Sequence, residues 1–331
     1  GAIALASGDF YVSGAAELYH PATPQIRSAT GSLTFGGAVT INALSALEGF
    51  GVQFDDALTL AGGNLTVTAG TGAATLTGPV TIGAYDLTVA SSGITTLTGG
   101  ISGSTGNVDI AATTRTDVDG AIALTGAGTV QLDRAVVSGV NVTTVGGDIT
   151  FDGAASTDTA AVAVQSGGAN VLFNNTLGLG DALTVTAGAI TISGAVSGAQ
   201  ALTLTSGGPT ALAAIGTAVT PLTSLTVDGT GALTLNGSVY AELMTVTPNV
   251  TLGASITLGD LVNGAADPDL DFAGTVGGAF DLTLAAAGET RFQLAVGPLG
   301  DGTGASLIQV GSGAVTFANT VTTAQGITQS G

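Results

Sequence analysis

The feature that most constrains the fold is a short word that keeps returning, Leu-Thr followed by Leu or Val. It stands at Leu58-Thr59-Leu60, Leu65-Thr66-Val67, Leu87-Thr88-Val89 and Leu183-Thr184-Val185. It returns at Leu202-Thr203-Leu204, Leu225-Thr226-Val227, Leu233-Thr234-Leu235 and Leu282-Thr283-Leu284. Apolar residues alternating with a β-branched polar one, bounded by Gly, Asn and Ser, have the period of a half-buried strand. Leu and Val then face one side and Thr the other. No helical period persists, and Gly every few residues would cost a helix about 1 kcal/mol each. The chain is therefore predicted to be all-β, with short strands separated by tight Gly-containing turns.

Longer matches set the architecture. Val52-Gln53-Phe54-Asp55-Asp56 matches Val171-Leu172-Phe173-Asn174-Asn175 at an offset of 119, and Gly1-Ala2-Ile3-Ala4-Leu5 recurs as Gly120-Ala121-Ile122-Ala123-Leu124. Asn64 to Gly70 matches Ala182 to Gly188 at 118, and Leu33 to Ala38 matches Ile149 to Ala154 at 116. A second relation, at 80, links Ile192 to Val196 with Phe272 to Val276, and Ala201 to Leu204 with Asp281 to Leu284. These offsets share a divisor near 40, and half of it, about 20 residues, is a natural length for one turn of a β-solenoid. The expectation is one continuous, elongated parallel β-solenoid over residues 1–331, roughly 16 coils long. At the ~4.8 Å spacing of paired strands such a rod measures about 80 Å. Two segments break the pattern and are expected to be irregular loop excursions. Residues 9–27 hold two Tyr, His20, Pro21 and Pro24, and residues 260–271 hold Asp267-Pro268-Asp269-Leu270-Asp271.

Composition removes several function classes. The chain carries 23 Asp and Glu against four Arg and no Lys, a formal charge of −19. Such a surface offers nucleic acid no basic footprint and is repelled by anionic membranes. Polar residues interrupt every apolar stretch before it could span a bilayer as a helix, and the aromatic girdles of a membrane barrel are lacking. With no Cys there is no disulfide framework and no thiol chemistry. Gly1 to Phe10 show neither Met nor a basic segment, so a secretion leader is expected to have been removed or to lie outside this stretch.

Candidate chemistry is sparse. β-Helical polysaccharide lyases and hydrolases work with clustered carboxylates, often beside Arg, Lys or Ca²⁺. Here Arg27, Arg115, Arg134 and Arg291 are far apart, His20 is the single His, and Trp is missing from what would be a sugar-binding groove. Acidic groups do occur at Asp55-Asp56, at Asp117 with Asp119, and at Asp267, Asp269 and Asp271. The last trio resembles the opening of a Ca²⁺ loop without its Gly and distal Glu. A solvated acidic loop is the simpler expectation, and calcium stays open. Thr66 with Thr68, Thr184 with Thr186, and Thr203 with Thr205 would form flat hydroxyl ladders if stacked on successive coils. Strand-forming Thr on any outer face does the same. The Asn-x-Thr/Ser triplets at Asn64, Asn141, Asn174, Asn236 and Asn249 read as turn-and-strand chemistry. Gly62-Gly63, Gly99-Gly100 and Gly146-Gly147 read as turns rather than phosphate cradles. The chain is expected not to be an enzyme, and no catalytic, cofactor-binding or metal-binding residue and no cofactor is assigned.

The Leu-Thr-Val-Thr-Ala-Gly words at 65–70 and 183–188 resemble the repeats of the very large filamentous-haemagglutinin-like surface proteins of bacteria. So do Phe-Gly-Gly-Ala-Val at 35–39, Ile-Ser-Gly-Ala-Val at 192–196 and Thr-Ser-Leu-Thr-Val at 223–227. The resemblance implies an exported, right-handed parallel β-helix at the bacterial cell surface, without the Asn-Pro-Asn segment of a two-partner secretion domain. The expected function is a structural extracellular protein forming a fibre, filament or envelope layer by end-to-end self-association. The alternatives are an adhesin that binds surface glycans or neighbouring cells, through residues 9–27, and a polysaccharide-active β-helix enzyme. Nucleic acid and membrane insertion are not expected.

Overall fold

The computed structural model describes residues 3–19, 22–260, 269–303 and 306–329. Among them there is no helix. The chain divides into two compact units, Gly1–Ala169 and Asn170–Gly331. Both are built from parallel strands stacked as a β-solenoid with about 21 residues per turn.

One turn of the first unit shows how the coil is made. Leu65–Ala69 lies on the first face, Ala74–Leu76 on the second and Val80–Gly83 on the third. The chain then returns to the first face as Leu87–Ser91, with Leu65 level with Leu87 and Val67 with Val89. Further turns place Val108 and Val130 in the same column, and Ile149 after them. The second unit repeats the scheme, with Asn170–Phe173, Leu177–Leu179 and Leu183–Ala187 as one turn and Ala189–Ile192 returning beside the first of these strands. Its middle face thins to single bridges linking Val196, Ile215 and Val239, then resumes as Ile256–Asp260 pairs with Leu282–Ala286.

The alternation of the sequence explains which side is buried. In Leu58–Leu60 and Leu233–Leu235 both leucines are buried while the central Thr is half-exposed. Each Leu or Val withdrawn from water contributes roughly 1.5–3 kcal/mol. Parallel pairing in register repeats each inward position once per turn, so like stacks on like. Phe35 lies on Phe54 with ring centroids 5.1 Å apart, and Phe272, Phe292 and Phe317 stack at 5.1 and 5.3 Å. The corners carry their own ladder. The Asn64 side chain exchanges hydrogen bonds with Asp86, and Asn107 donates to Asp86 from both backbone and side chain. Asn107 in turn accepts from the backbone and hydroxyl of Thr129. Backbone groups that have left the strands are thereby satisfied.

One expectation needs correction. Residues 9–27 are not a loop excursion. Phe10–Val12 pairs with Leu33–Phe35, Ala16–Leu18 with Val39–Ile41, and Ala22–Ser28 with Ile3–Leu5 and Ser45–Gly49. Phe10-Tyr11-Val12 and Ala16-Glu17-Leu18 keep the same alternation as the Leu-Thr word, and their aromatic and acidic residues disguised it. His20 and Pro21 lie outside the described residues. The expected excursion at residues 260–271 falls mostly on 261–268, which lie outside the described residues; on either side of them stand the strands Ile256–Asp260 and Leu270–Phe272.

The long repeats also turn out not to be whole numbers of turns. Ile3–Leu5 is on the first face, but its copy at an offset of 119, Ile122–Leu124, is on the third. At 21 residues per turn, 119 is about five and two-thirds turns. In the second unit the offset of 80 likewise moves a word on by a non-integral number of turns. Ile192 lies in the first-face strand Ala189–Ile192, whereas Phe272 lies in the third-face strand Leu270–Phe272. The unit that recurs in sequence is a strand with its turn, and it is usable on any face.

Candidate functional surface

What the solenoid presents outward is the polar half of each alternating strand. On the third face of the second unit, Thr184, Thr203, Thr226 and Thr245 stand in one register column, with Thr186, Thr205 and Asp228 in the column beside it. The Thr-x-Thr pairs at 184 and 203 therefore do stack as a ladder. The pair Thr66 and Thr68 does not, since it lies between Ala46 with Glu48 and Thr88 with Ala90. Beside the half-exposed Phe50 the first unit has a small cleft of about 150 Å³, lined by Ser32, Thr34, Val52, Gln53 and Thr75 among others.

The acidic groups serve local purposes. Gln53 Nε2 donates to Asp55 Oδ1 at 2.5 Å, and Asp56 Oδ1 accepts from the Ala57 backbone at 2.7 Å. Asp117 pairs with Arg115 at 2.6 Å, whereas Asp119 is exposed at the following turn. Arg27 reaches Glu48 at 3.1 Å, one turn away. Of the Asp267, Asp269, Asp271 trio, the two described members are placed differently. Asp271 points outward and takes both arms of Arg291, at 3.1 and 2.6 Å, together with Gln293 at 2.9 Å. Asp269 is buried, and Asp267 lies outside the described residues. Among the described residues no group of three or more His, Cys, Asp or Glu is placed to hold a metal ion.

Three carboxylates show how position decides titration. Burial and then the negative Asp152 raise Asp109 above the usual range. Burial also pushes Asp271 up, but hydrogen bonds from Arg291 and Gln293 and the Arg291 charge outweigh it and hold the group low. Asp228 is lowered by hydrogen bonds from the Thr247 hydroxyl and the Gly229 backbone. Sequence reading missed the buried Asp260, although a signal was present. In Ile256-Thr257-Leu258-Gly259-Asp260 the alternation places Asp260 on the inward side with Ile256 and Leu258, and it is wholly buried there.

The outermost strands complete the surface. Ile327–Gln329 pairs with Leu307–Gln309, and its Ile327 is 58% exposed although it continues the buried column of Leu307 and Leu282. Val315–Phe317 and Val321–Thr323 are less covered than their counterparts one turn earlier. Ile3 in the first described strand is 42% exposed. These strands carry the same alternation as the interior turns and offer backbone edges of the same kind. Comparison with family models, curated proteins and solved structures gives no match to this chain.

Proposed function

We propose that the chain is a structural element of an extracellular, bacterial cell-surface fibre or envelope layer, built by adding solenoid turns end to end. The observation that carries this reading is the continuity of the ladder. Within each unit the described turns are joined by parallel backbone pairing, and Val315–Phe317, Val321–Thr323 and Ile327–Gln329 keep the apolar-Thr alternation of the turns before them. A further layer, from the same polypeptide or from a second copy, would add by the interaction that already joins the turns. It would bury Val315, Phe317, Val321 and Ile327 as their counterparts are buried. An unpaired strand edge is a template for another strand.

Charge gives such growth a direction. A formal charge of −19, carried mostly on outward-facing side chains, makes side-by-side association repulsive. The strands Val315–Phe317, Val321–Thr323 and Ile327–Gln329 carry no charge and lack that penalty, so stacking along the coil is preferred over bundling. The likeness of the words at 65–70, 183–188 and 192–196 to filamentous-haemagglutinin-like repeats supports the same role.

The test is concentration-dependent assembly, followed by light scattering and negative-stain microscopy. The wild-type chain is expected to form linear assemblies at high concentration. Ile327→Lys, which puts a charge into the inward column of the last described strand, is expected to abolish them with the far-ultraviolet circular dichroism unchanged. A strictly monomeric wild type, or an Ile327→Lys chain that assembles equally well, contradicts the proposal.

A further inference from the structure

The cleft in the first unit crosses three successive turns of the second face. Its outward residues Thr34, Gln53 and Thr75 stand level in one column. Phe50 also lines it and is 47% exposed. The residue that follows the first-face strand is Phe50 here but Gly70, Ser92 and Thr113 in the next three turns. An aromatic ring thus stands where those turns place a small polar side chain or none. Among the described residues the exposed aromatic side chains are Tyr11, Tyr19 and Phe50, all in this unit, and Tyr11 lies on the rung against Thr34. No side chain can be added beside Phe50 at residue 72. The Gly72 backbone donates to the Phe50 carbonyl at 2.8 Å, and a Cβ on Gly72 would lie 2.4 Å from that oxygen.

The cleft is small and mixed in character. At about 150 Å³ it falls short of the roughly 300–1,000 Å³ that holds a drug-sized ligand, so it takes one ring rather than a chain of them. Phe50 supplies an apolar surface, while Ser32, Thr34 and Thr75 supply hydroxyls and Gln53 an amide. Gln53 Nε2 donates to Asp55 Oδ1 at 2.5 Å, which fixes the amide and leaves its oxygen and second N–H for a ligand. A hexose matches both characters. Its hydroxyls donate to and accept from the polar groups, and its C–H face carries partial positive charge that suits the negative face of an aromatic ring. A wholly apolar ligand would cover the hydroxyls without pairing them. The neighbours set the sign of the ligand. Asp55 and Asp56 are exposed beside Gln53, and Asp9 Oδ1 accepts from the Ser32 backbone at 2.8 Å, so an acidic sugar is repelled.

We propose that this cleft binds one neutral hexose residue, with Phe50 as the stacking platform and Gln53 as the chief hydrogen-bonding group. Phe50 takes the part that the missing Trp would have played. The glycan expectation attached to residues 9–27 thus moves to the face built by residues 32–75, next to Tyr11. The site lies on the side of the coil and does not depend on the end-to-end assembly proposed above.

The test titrates the full chain with the methyl glycosides of glucose, galactose and mannose, read by saturation-transfer NMR, with glucuronate and cyclohexanol as comparison probes. The expected result is saturable binding of at least one methyl glycoside with a Kd of about 1–10 mM, the range open to a ligand of this size. Glucuronate and cyclohexanol should bind at least about tenfold more weakly. Phe50→Ala should weaken the glycoside about tenfold and Gln53→Ala about threefold, while Phe50→Trp keeps or tightens it. Val219→Ser, at an 89% exposed position of the second unit, should leave it unchanged. If Phe50→Ala does not fold, Gln53→Ala on the outer surface and Phe50→Trp decide. Absence of saturable binding for all three glycosides overturns the proposal. So does binding that Phe50→Ala leaves intact, which would place the sugar elsewhere. Cyclohexanol bound as tightly as the glycoside would reduce the cleft to an apolar patch, and glucuronate bound as tightly would remove the charge argument; either overturns it too.

Discussion

At the scale of single residues, Asp109 and Asp271 both face outward from alternating strands and yet titrate in opposite directions. The Asp271 pKa is held down by Arg291 and Gln293, so its contribution to stability is complete above the ordinary Asp value of about 3.9 and is lost as pH falls through the lower folded value. Asp109 is raised by burial and by Asp152, so stability declines as pH rises from the ordinary value through the raised one. Melting curves against pH check both signs. At neutral pH Asp271→Asn should melt below wild type and Asp109→Asn above it, and both differences should shrink as pH falls through and below the ordinary Asp range. The opposite order at neutral pH contradicts the assignment. Inward or outward placement was legible in the sequence here, since alternation assigned Leu, Val and Thr to their sides. The partner of each carboxylate was not. Arg291 stands 20 positions from Asp271 and meets it only because pairing brings Leu270 level with Thr290.

At the scale of elements, strand and turn form a module that fits any face. This explains why the repeats at 119 and 80 gave nearly the right turn length while linking words that lie on different faces. It also explains why residues 9–27 look irregular in sequence, since their modules carry Phe, Tyr and Glu where others carry Leu and Thr. The corners are less forgiving than the strands. A Cβ on Gly99 would lie 1.9 Å from the Gly78 carbonyl oxygen one turn away, and one on Gly120 would lie 2.3 Å from the Gly99 carbonyl oxygen. Backbone must therefore move to admit a methyl group in this column. Gly99→Ala is expected to cost about 1–3 kcal/mol by urea denaturation. Gly207→Ala, where an added Cβ meets nothing within 4 Å, should stay within about 0.5 kcal/mol of wild type. Equal costs at the two positions would mean that close stacking at the corners does not limit stability.

At the scale of the whole molecule, a chain that repeats one interaction turn after turn has its stability summed from each turn and its contacts with neighbours. The proposed role extends that sum beyond one copy, with outward acidic groups limiting growth to the direction of stacking. Raising the salt shortens the Debye length from about 8 Å at 0.15 M to about 3 Å at 1 M, and so relaxes that restriction. The most direct measurement is fibre diffraction from oriented, assembled material. Layers added by parallel pairing predict a strong meridional reflection at about 4.8 Å, the spacing of strands running across the fibre axis. Assemblies in which that reflection is absent from the meridian, or lies on the equator, would contradict the account.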